Sequence, residues 1–196
     1  MIQEADRAAT LALNGLDSAF TDAVMPVLSN KLAWIPFYLL LLWFLWRRLG
    51  WKQTLLVLLA VLLAVAVTDQ VANLVKNVVR RLRPCWDAYM LGNGLKVLEK
   101  KGGKFGFFSA HAATCAAVAT TVLFGFRKWS GKRGERRLLA AILISWAVLV
   151  SISRIWVGKH FLGDVLVGAA AGVIIAWLLS FVSYWAFNKY FAKFVD

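Results

Sequence analysis

Long apolar stretches separated by short charged clusters constrain this chain more than any other feature. The run at residues 32–49, LAWIPFYLLLLWFLWRRL, reaches the roughly 20 residues that a helix needs to cross about 30 Å of hydrocarbon. Residues 55–79 form a second such run, which turns polar through Asp69, Gln70, Asn73, Lys76 and Asn77. Polar groups inside a span must face protein or water, not lipid tails. Three more runs follow at residues 110–126, 138–152 and 161–187, with the basic segment RKWSGKRGERR joining the first two of them. Residues 2–28 place apolar residues at helical spacing with polar ones between, the pattern of an amphipathic helix lying at an interface. The expected fold is therefore all-α: a polytopic membrane helix bundle of about five spanning helices plus an N-terminal interfacial helix. Residues 1–196 read as one domain.

Composition sharpens that reading. Apolar residues make up 61% of the chain, against about 45–50% in an ordinary soluble domain. The formal charge of +13 is compatible with nucleic acid, anionic lipid or an anionic substrate. Its Lys and Arg sit at the ends of apolar segments or within one loop, so nucleic acid is not an expected partner and the bilayer is. Cys85 and Cys115 have no metal spacing and form no disulfide framework. No cleavable signal is evident in the first 25 residues. Five crossings put Arg47, Arg48, Lys52, the 127–137 cluster, Lys189 and Lys193 on one side, eleven cations against ten on the other. The bare count decides no orientation, but the second group surrounds the presumed site. Discounting it gives the first group the cytoplasm, with the site facing the periplasm or exterior of an inner membrane.

Residues 80–108 form the only long polar connection, and long loops in compact proteins tend to carry function. Under this topology three short segments reach the same membrane face. In KNVVRRLRP, Lys76 and Arg83 are seven apart, which on one helix face sets two cations about 10 Å apart along the axis; Pro84 is then expected to end the helix. Ser109 can cap the third span, whose first N–H groups and dipole form an anion site beside His111. In SRIWVGKHFLGD, Arg154 offers a guanidinium suited to bidentate phosphate binding. His160 and Asp164 lie four apart at the start of the last helix, so the carboxylate can orient the imidazole.

The pattern K-x6-R-P, x-S-x-H and S-R-x5-H-x3-D resembles the signature of the type 2 phosphatidic acid phosphatase family, whose members are integral-membrane lipid phosphatases related to vanadium haloperoxidases. The first and third parts agree at every defined position. In the second, Phe108 and Ala110 stand where the family has Pro and Gly. The resemblance implies that His160 attacks phosphorus, that Asp164 orients it, and that His111 protonates the leaving oxygen and later activates water. It implies that Lys76, Arg83, Ser109 and Arg154 hold the phosphate oxygens, and that neither a metal nor another cofactor is needed. Candidate substrates are undecaprenyl pyrophosphate, phosphatidylglycerol phosphate, phosphatidic acid and a lipid A phosphate, hydrolysed through a phosphohistidine. The alternatives are a lipid phosphotransferase and a non-catalytic lipid-binding or transport protein.

Several polar residues have plainer readings. Arg80, Arg81, Lys96, Lys100, Lys101 and Lys104 read as solvated loop or headgroup contacts. Asp69 and Gln70 read as residues that pair between helices, and GAAAG at 168–172 reads as a small-residue packing face, with homodimerisation through it one option.

Overall fold

The structure, a computed structural model, describes residues 1–16, 18–130 and 132–190. Lys193, one of the cations used above to weigh orientation, lies outside them. Among these residues eight α-helices follow in order: α1 (Ile2–Asn14), α2 (Ala19–Ser29), α3 (Ile35–Leu49), α4 (Trp51–Val79), the short α5 (Ala88–Gly92), α6 (Ala110–Trp129), α7 (Arg133–Trp156) and α8 (Leu162–Tyr190). The fold is the expected all-α membrane bundle. Among the described residues, four segments are long and apolar enough to cross a bilayer: Lys31–Leu49, Trp51–Val79, Arg133–Trp156 and Leu162–Phe187.

The fifth, α6, has 20 residues, about 30 Å at 1.5 Å per residue. It is rich in Ala and Thr rather than Leu because it is the central helix, with α3, α4, α7 and α8 packed around it. Small side chains let its neighbours approach. A Cβ on Gly172 would overlap the carbonyl of Ala113, and one on Gly168 would lie 2.6 Å from the carbonyl of Ser109. The G-x-x-x-G face of α8 therefore seats α6 of the same chain, which takes it away from any homodimer contact. Lower in the bundle, Phe44 stacks on Phe126 at 5.6 Å and Phe37 on Trp146 at 5.2 Å. Leu39, Trp43, Leu59, Leu62, Ile174 and Trp177 stay exposed on the outside, facing lipid.

The N-terminal region departs from the single interfacial helix expected for residues 2–28. Ser18 starts a new helix, because its Oγ accepts the Thr21 N–H while Thr21 Oγ1 accepts the Ser18 N–H, a full capping box. The two resulting helices dock on protein. Asn14 is buried, donates to the carbonyls of Lys96, Ile155 and Trp156, and accepts from the Lys96 N–H at 2.8 Å.

Helix α4 ends where its expected run ends, short of the proline expected to stop it. It stops at Val79, where Arg80 takes a left-handed conformation (φ 51°), and not at Pro84. Lys76 and Arg83 are therefore not stacked on one helix face. The chain continues extended, with Leu82 bridging Phe105, the Arg83 N–H donating to Lys104 O at 2.9 Å and the Gly106 N–H to Arg81 O at 2.9 Å. In extended backbone alternate side chains share a face, so Arg81 and Arg83 point the same way.

Candidate active site

One end of the bundle collects the C-terminal end of α4, the N-terminus of α6, the last turn of α7 and the start of α8, under the 80–109 connection and the helices α1 and α2. Ser109 is buried at the N-cap of α6, where its Oγ accepts the Ala112 N–H and its own N–H donates to Asp164 O at 3.0 Å. That bond locks the starts of α6 and α8 together. His111, the second residue of α6, is half-buried and within electrostatic reach of Arg154, Lys31, His160 and Lys76.

Arg154 lies in the last turn of α7 and is only 6% exposed. Gly158, with φ 74°, then turns the chain so tightly against the connection that a Cβ there would lie 2.5 Å from Lys96 O. No other residue type fits that turn without strain. It delivers His160 to the residue pair just before α8, so His160 is not on the helix as the spacing suggested. Asp164, in the first turn of α8, is fully buried. Its Oδ2 accepts the Phe161 N–H at 3.1 Å and stands 3.5 Å from His160 Nδ1, farther than an ordinary hydrogen bond. Burial is the largest influence on His160 and pushes its imidazole down to about 4, against the pull of Asp164. Burial thus favours the uncharged imidazole near neutral pH.

Arg83 is half-buried beside the same carboxylate. A Cβ on Gly106 would lie 2.8 Å from Arg83 Cγ and 3.3 Å from Asp164 Oδ2. Gly102 brackets the other end of the guanidinium, 3.5 Å from Arg83 Nη1 and 3.7 Å from Lys159 Nζ by the same measure. Lys76 is half-buried on α4, within electrostatic reach of Arg83 and Arg154. All seven residues singled out in the sequence therefore gather at one end of the bundle.

Others belong to this cluster that spacing did not single out. Lys159, 4% exposed, donates to Lys100 O and lies 4.0 Å from Glu99 Oε2. The same carboxylate stands 3.6 Å from Arg154 Nη1, while Ser29 holds both Arg154 and Glu99. Glu99 is thus the internal counter-ion of two buried cations. Arg81, expected to be solvated, instead bonds Asp164 and Asp6. Lys96 is half-buried and pairs with Asp22 at 3.3 Å. Lys101 and Lys104 lie over the Trp86 ring at 5.0 and 5.8 Å. The sequence signal for Arg81 was its separation by two from Arg83, legible once that segment is extended. Among the described residues, no three His, Cys, Asp or Glu side chains gather as a metal site would require.

Below His111 the site opens into an apolar cavity of about 540 Å³ between α3, α4, α6 and α7. Tyr38, Leu42, Leu58, Val61, Val118 and Trp146 line it, and Asp69 and Gln70 face it from α4. Asp69 bonds Asn73 of its own helix at 3.2 Å instead of pairing across helices. Its size is that of a small-molecule site.

Residues 54–190 match the PAP2 superfamily. The lipid A 4'-phosphatase of Bacteroides thetaiotaomicron is 30% identical over 185 residues, covering 93% of this chain and 79% of that protein. The lipid A 4'-phosphatase of Porphyromonas gingivalis is 30% identical over 175 residues, covering 89% and 71%. Among solved structures, the first transmembrane PAP2 type phosphatidylglycerolphosphate phosphatase from Bacillus subtilis superposes with a TM-score of 0.72 at 22% identity, covering 98% of this chain and 89% of that one. Aquifex aeolicus LpxE superposes at 0.61 and 22% identity, covering 88% and 92%.

Proposed function

This chain belongs to the PAP2 superfamily, and we propose that it is a membrane lipid phosphatase that removes a phosphate from a lipid A-type headgroup through a phosphohistidine on His160. The observation that carries this reading is a buried histidine and a cluster of fixed cations gathered beside His111, which also lines an apolar cavity inside the bundle. The headgroup phosphate meets Lys76, Arg83 and Arg154 while an acyl chain occupies the cavity. Lipid A is favoured among the candidate substrates because two relatives spanning most of the chain bear that activity in their names.

In the first step His160 Nε2 attacks phosphorus as the P–O bond to the lipid breaks, and His111 gives its proton to the departing oxygen. In the second, His111 takes a proton from water, the P–O bond to water forms, the P–N bond breaks and inorganic phosphate leaves. Arg83, Arg154, Lys76 and the N–H groups of the α6 first turn bear the charge that builds on the equatorial oxygens. Asp164 holds the attacking imidazole in one tautomer. We place the site on the periplasmic face of an inner membrane, since cations held for a substrate leave the opposite, exposed basic end to set topology.

The test is phosphate release from purified lipid A, undecaprenyl pyrophosphate, phosphatidylglycerol phosphate and phosphatidic acid in detergent, with and without chelator. Expected are turnover of lipid A that survives chelation, and loss by at least about 10³-fold in His160→Ala. Activity that vanishes with chelator and returns with magnesium would sink the histidine mechanism. Transfer of labelled phosphate to a second lipid instead of water would identify a phosphotransferase.

A further inference from the structure

The N-terminal helix α1 reaches the buried carboxylate through an ion-pair chain that nothing in the signature requires. Arg81 Nη1 lies 2.8 Å from Asp164 Oδ1, and its Nη2 lies 2.6 Å from Asp6 Oδ2. Asp6 Oδ1 in turn accepts the Gly163 N–H at 2.8 Å. The guanidinium lies over the Phe161 ring, 4.0 Å from its centroid, so it is held on three sides. One turn further along α1, Thr10 is fully buried and accepts the Leu162 N–H at 3.0 Å. The first N–H groups of a helix have no partner within it. Here those of Phe161, Leu162 and Gly163 are taken by Asp164, Thr10 and Asp6, two of the three from α1. The start of α8, and the histidine just before it, is thus built partly from the N-terminal helix.

From this geometry we propose that Arg81, held by Asp6, is a positioning residue that fixes the Asp164 carboxylate and thereby the orientation and charge of His160. The proposal rests on the reading that His160 attacks phosphorus. A wholly buried carboxylate facing one neutral imidazole at 3.5 Å lacks a full counter-charge, and Arg81 supplies it. It also competes for the electrons that Asp164 lends to His160. The groups around His160 are Asp164 on α8, Arg154 on α7, His111 on α6 and Arg83 in the connection. Arg81 and Asp6 act on His160 through the first of these.

The signs of the two perturbations are opposite. Removing the Arg81 charge frees Asp164 to favour imidazolium, so the acid limb of kcat/KM moves to higher pH. Neutralising Asp6 turns Arg81 wholly onto Asp164, so the limb moves to lower pH. The experiment compares Arg81→Met, Arg81→Lys, Asp6→Asn and the exposed control Glu4→Gln by phosphate release from the full-length protein in detergent, normalised to folded protein by size exclusion. Expected are a fall in kcat of about 10- to 100-fold in Arg81→Met at little-changed KM, as for carboxylates that orient ligating histidines, partial rescue by Lys, and opposed shifts of the limb. Unmoved limbs with wild-type kcat in folded Arg81→Met and Asp6→Asn overturn the proposal. Where Arg81→Met fails to fold, Asp6→Asn decides alone: a limb that stays or rises overturns it. Full activity in His160→Ala removes the underlying reading instead, whereas a dead His160→Ala beside an unimpaired Arg81→Met removes this proposal only.

Discussion

The two ends of the bundle carry nearly equal numbers of cations and use them in opposite ways. At the end formed by the last turn of α3 and the α6–α7 connection, Arg47, Arg48, Arg127, Lys132, Arg133 and Arg137 are exposed. Their described ion pairs, Arg48–Glu135 at 3.2 Å and Lys132–Glu135 at 3.7 Å, share one half-buried carboxylate. At the other end Arg154 and Lys159 are buried, Lys76, Arg81 and Arg83 are half-buried, and fixed carboxylates or carbonyls hold several of them. Charge held out of water acts through a lower dielectric and keeps its strength, whereas exposed charge is screened by salt and solvent. What separates the proposed phosphate site from the exposed flank is thus burial and counter-charge, not number.

The sharpest way to break this contrast is to remove a buried cation. Arg154→Ala should lower kcat by about 10²–10³-fold, the loss typical when one fixed charge facing a transition state is deleted, measured as phosphate release at saturating lipid. Next, Val118→Trp, which fills the cavity from α6, should cut kcat/KM for a long-tailed lipid about tenfold while sparing a short, water-soluble phosphate ester. Equal losses on both substrates would mean that the cavity takes no tail.

A pH profile sharpens the contrast at the histidine itself. In the proposed mechanism neutral His160 is the reactive form, and burial holds its imidazole down to about 4. From pH 7 to 5 the rate should therefore fall less than about twofold once substrate ionisation, read by phosphorus NMR, is factored out. A histidine of ordinary value would lose roughly 25-fold over that range. The smallest effect belongs to the exposed end: Arg133→Ala and Arg137→Ala should change turnover by less than about twofold, as expected where charges are solvated. A loss there comparable with that of Arg154→Ala would dissolve the distinction between the ends.

Much of this was legible in the chain because hydrocarbon permits little else. The end of the second span at Val79 matched the polarity gradient, and α8 runs from Leu162 close to its expected start. The residues proposed to react were legible through spacing, since helix ends recur where apolar runs stop. Helix starts at charged flanks were less so: α7 begins at Arg133, five residues before its apolar run, because basic side chains extend a helix into the headgroup layer without penalty. The extended segment from Leu82 and the partners of Arg81, Lys159 and Glu99 were hidden for another reason. Each depends on contacts between residues 21 to 83 apart in sequence, which no local pattern encodes. The break at residues 15–18 had a local signal, Ser18 with Thr21, but amphipathic periodicity ran through it.

The cavity beneath His111 opens sideways as well as upward. Tyr38, Leu42 and Leu58 line it and are also 38–39% exposed on the lipid-facing surface between α3 and α4. A tail can therefore slide in from the leaflet without leaving it. For such an enzyme the concentration that matters is two-dimensional: diluting the substrate lipid among inert neighbours slows turnover, while adding buffer at constant mole fraction does not.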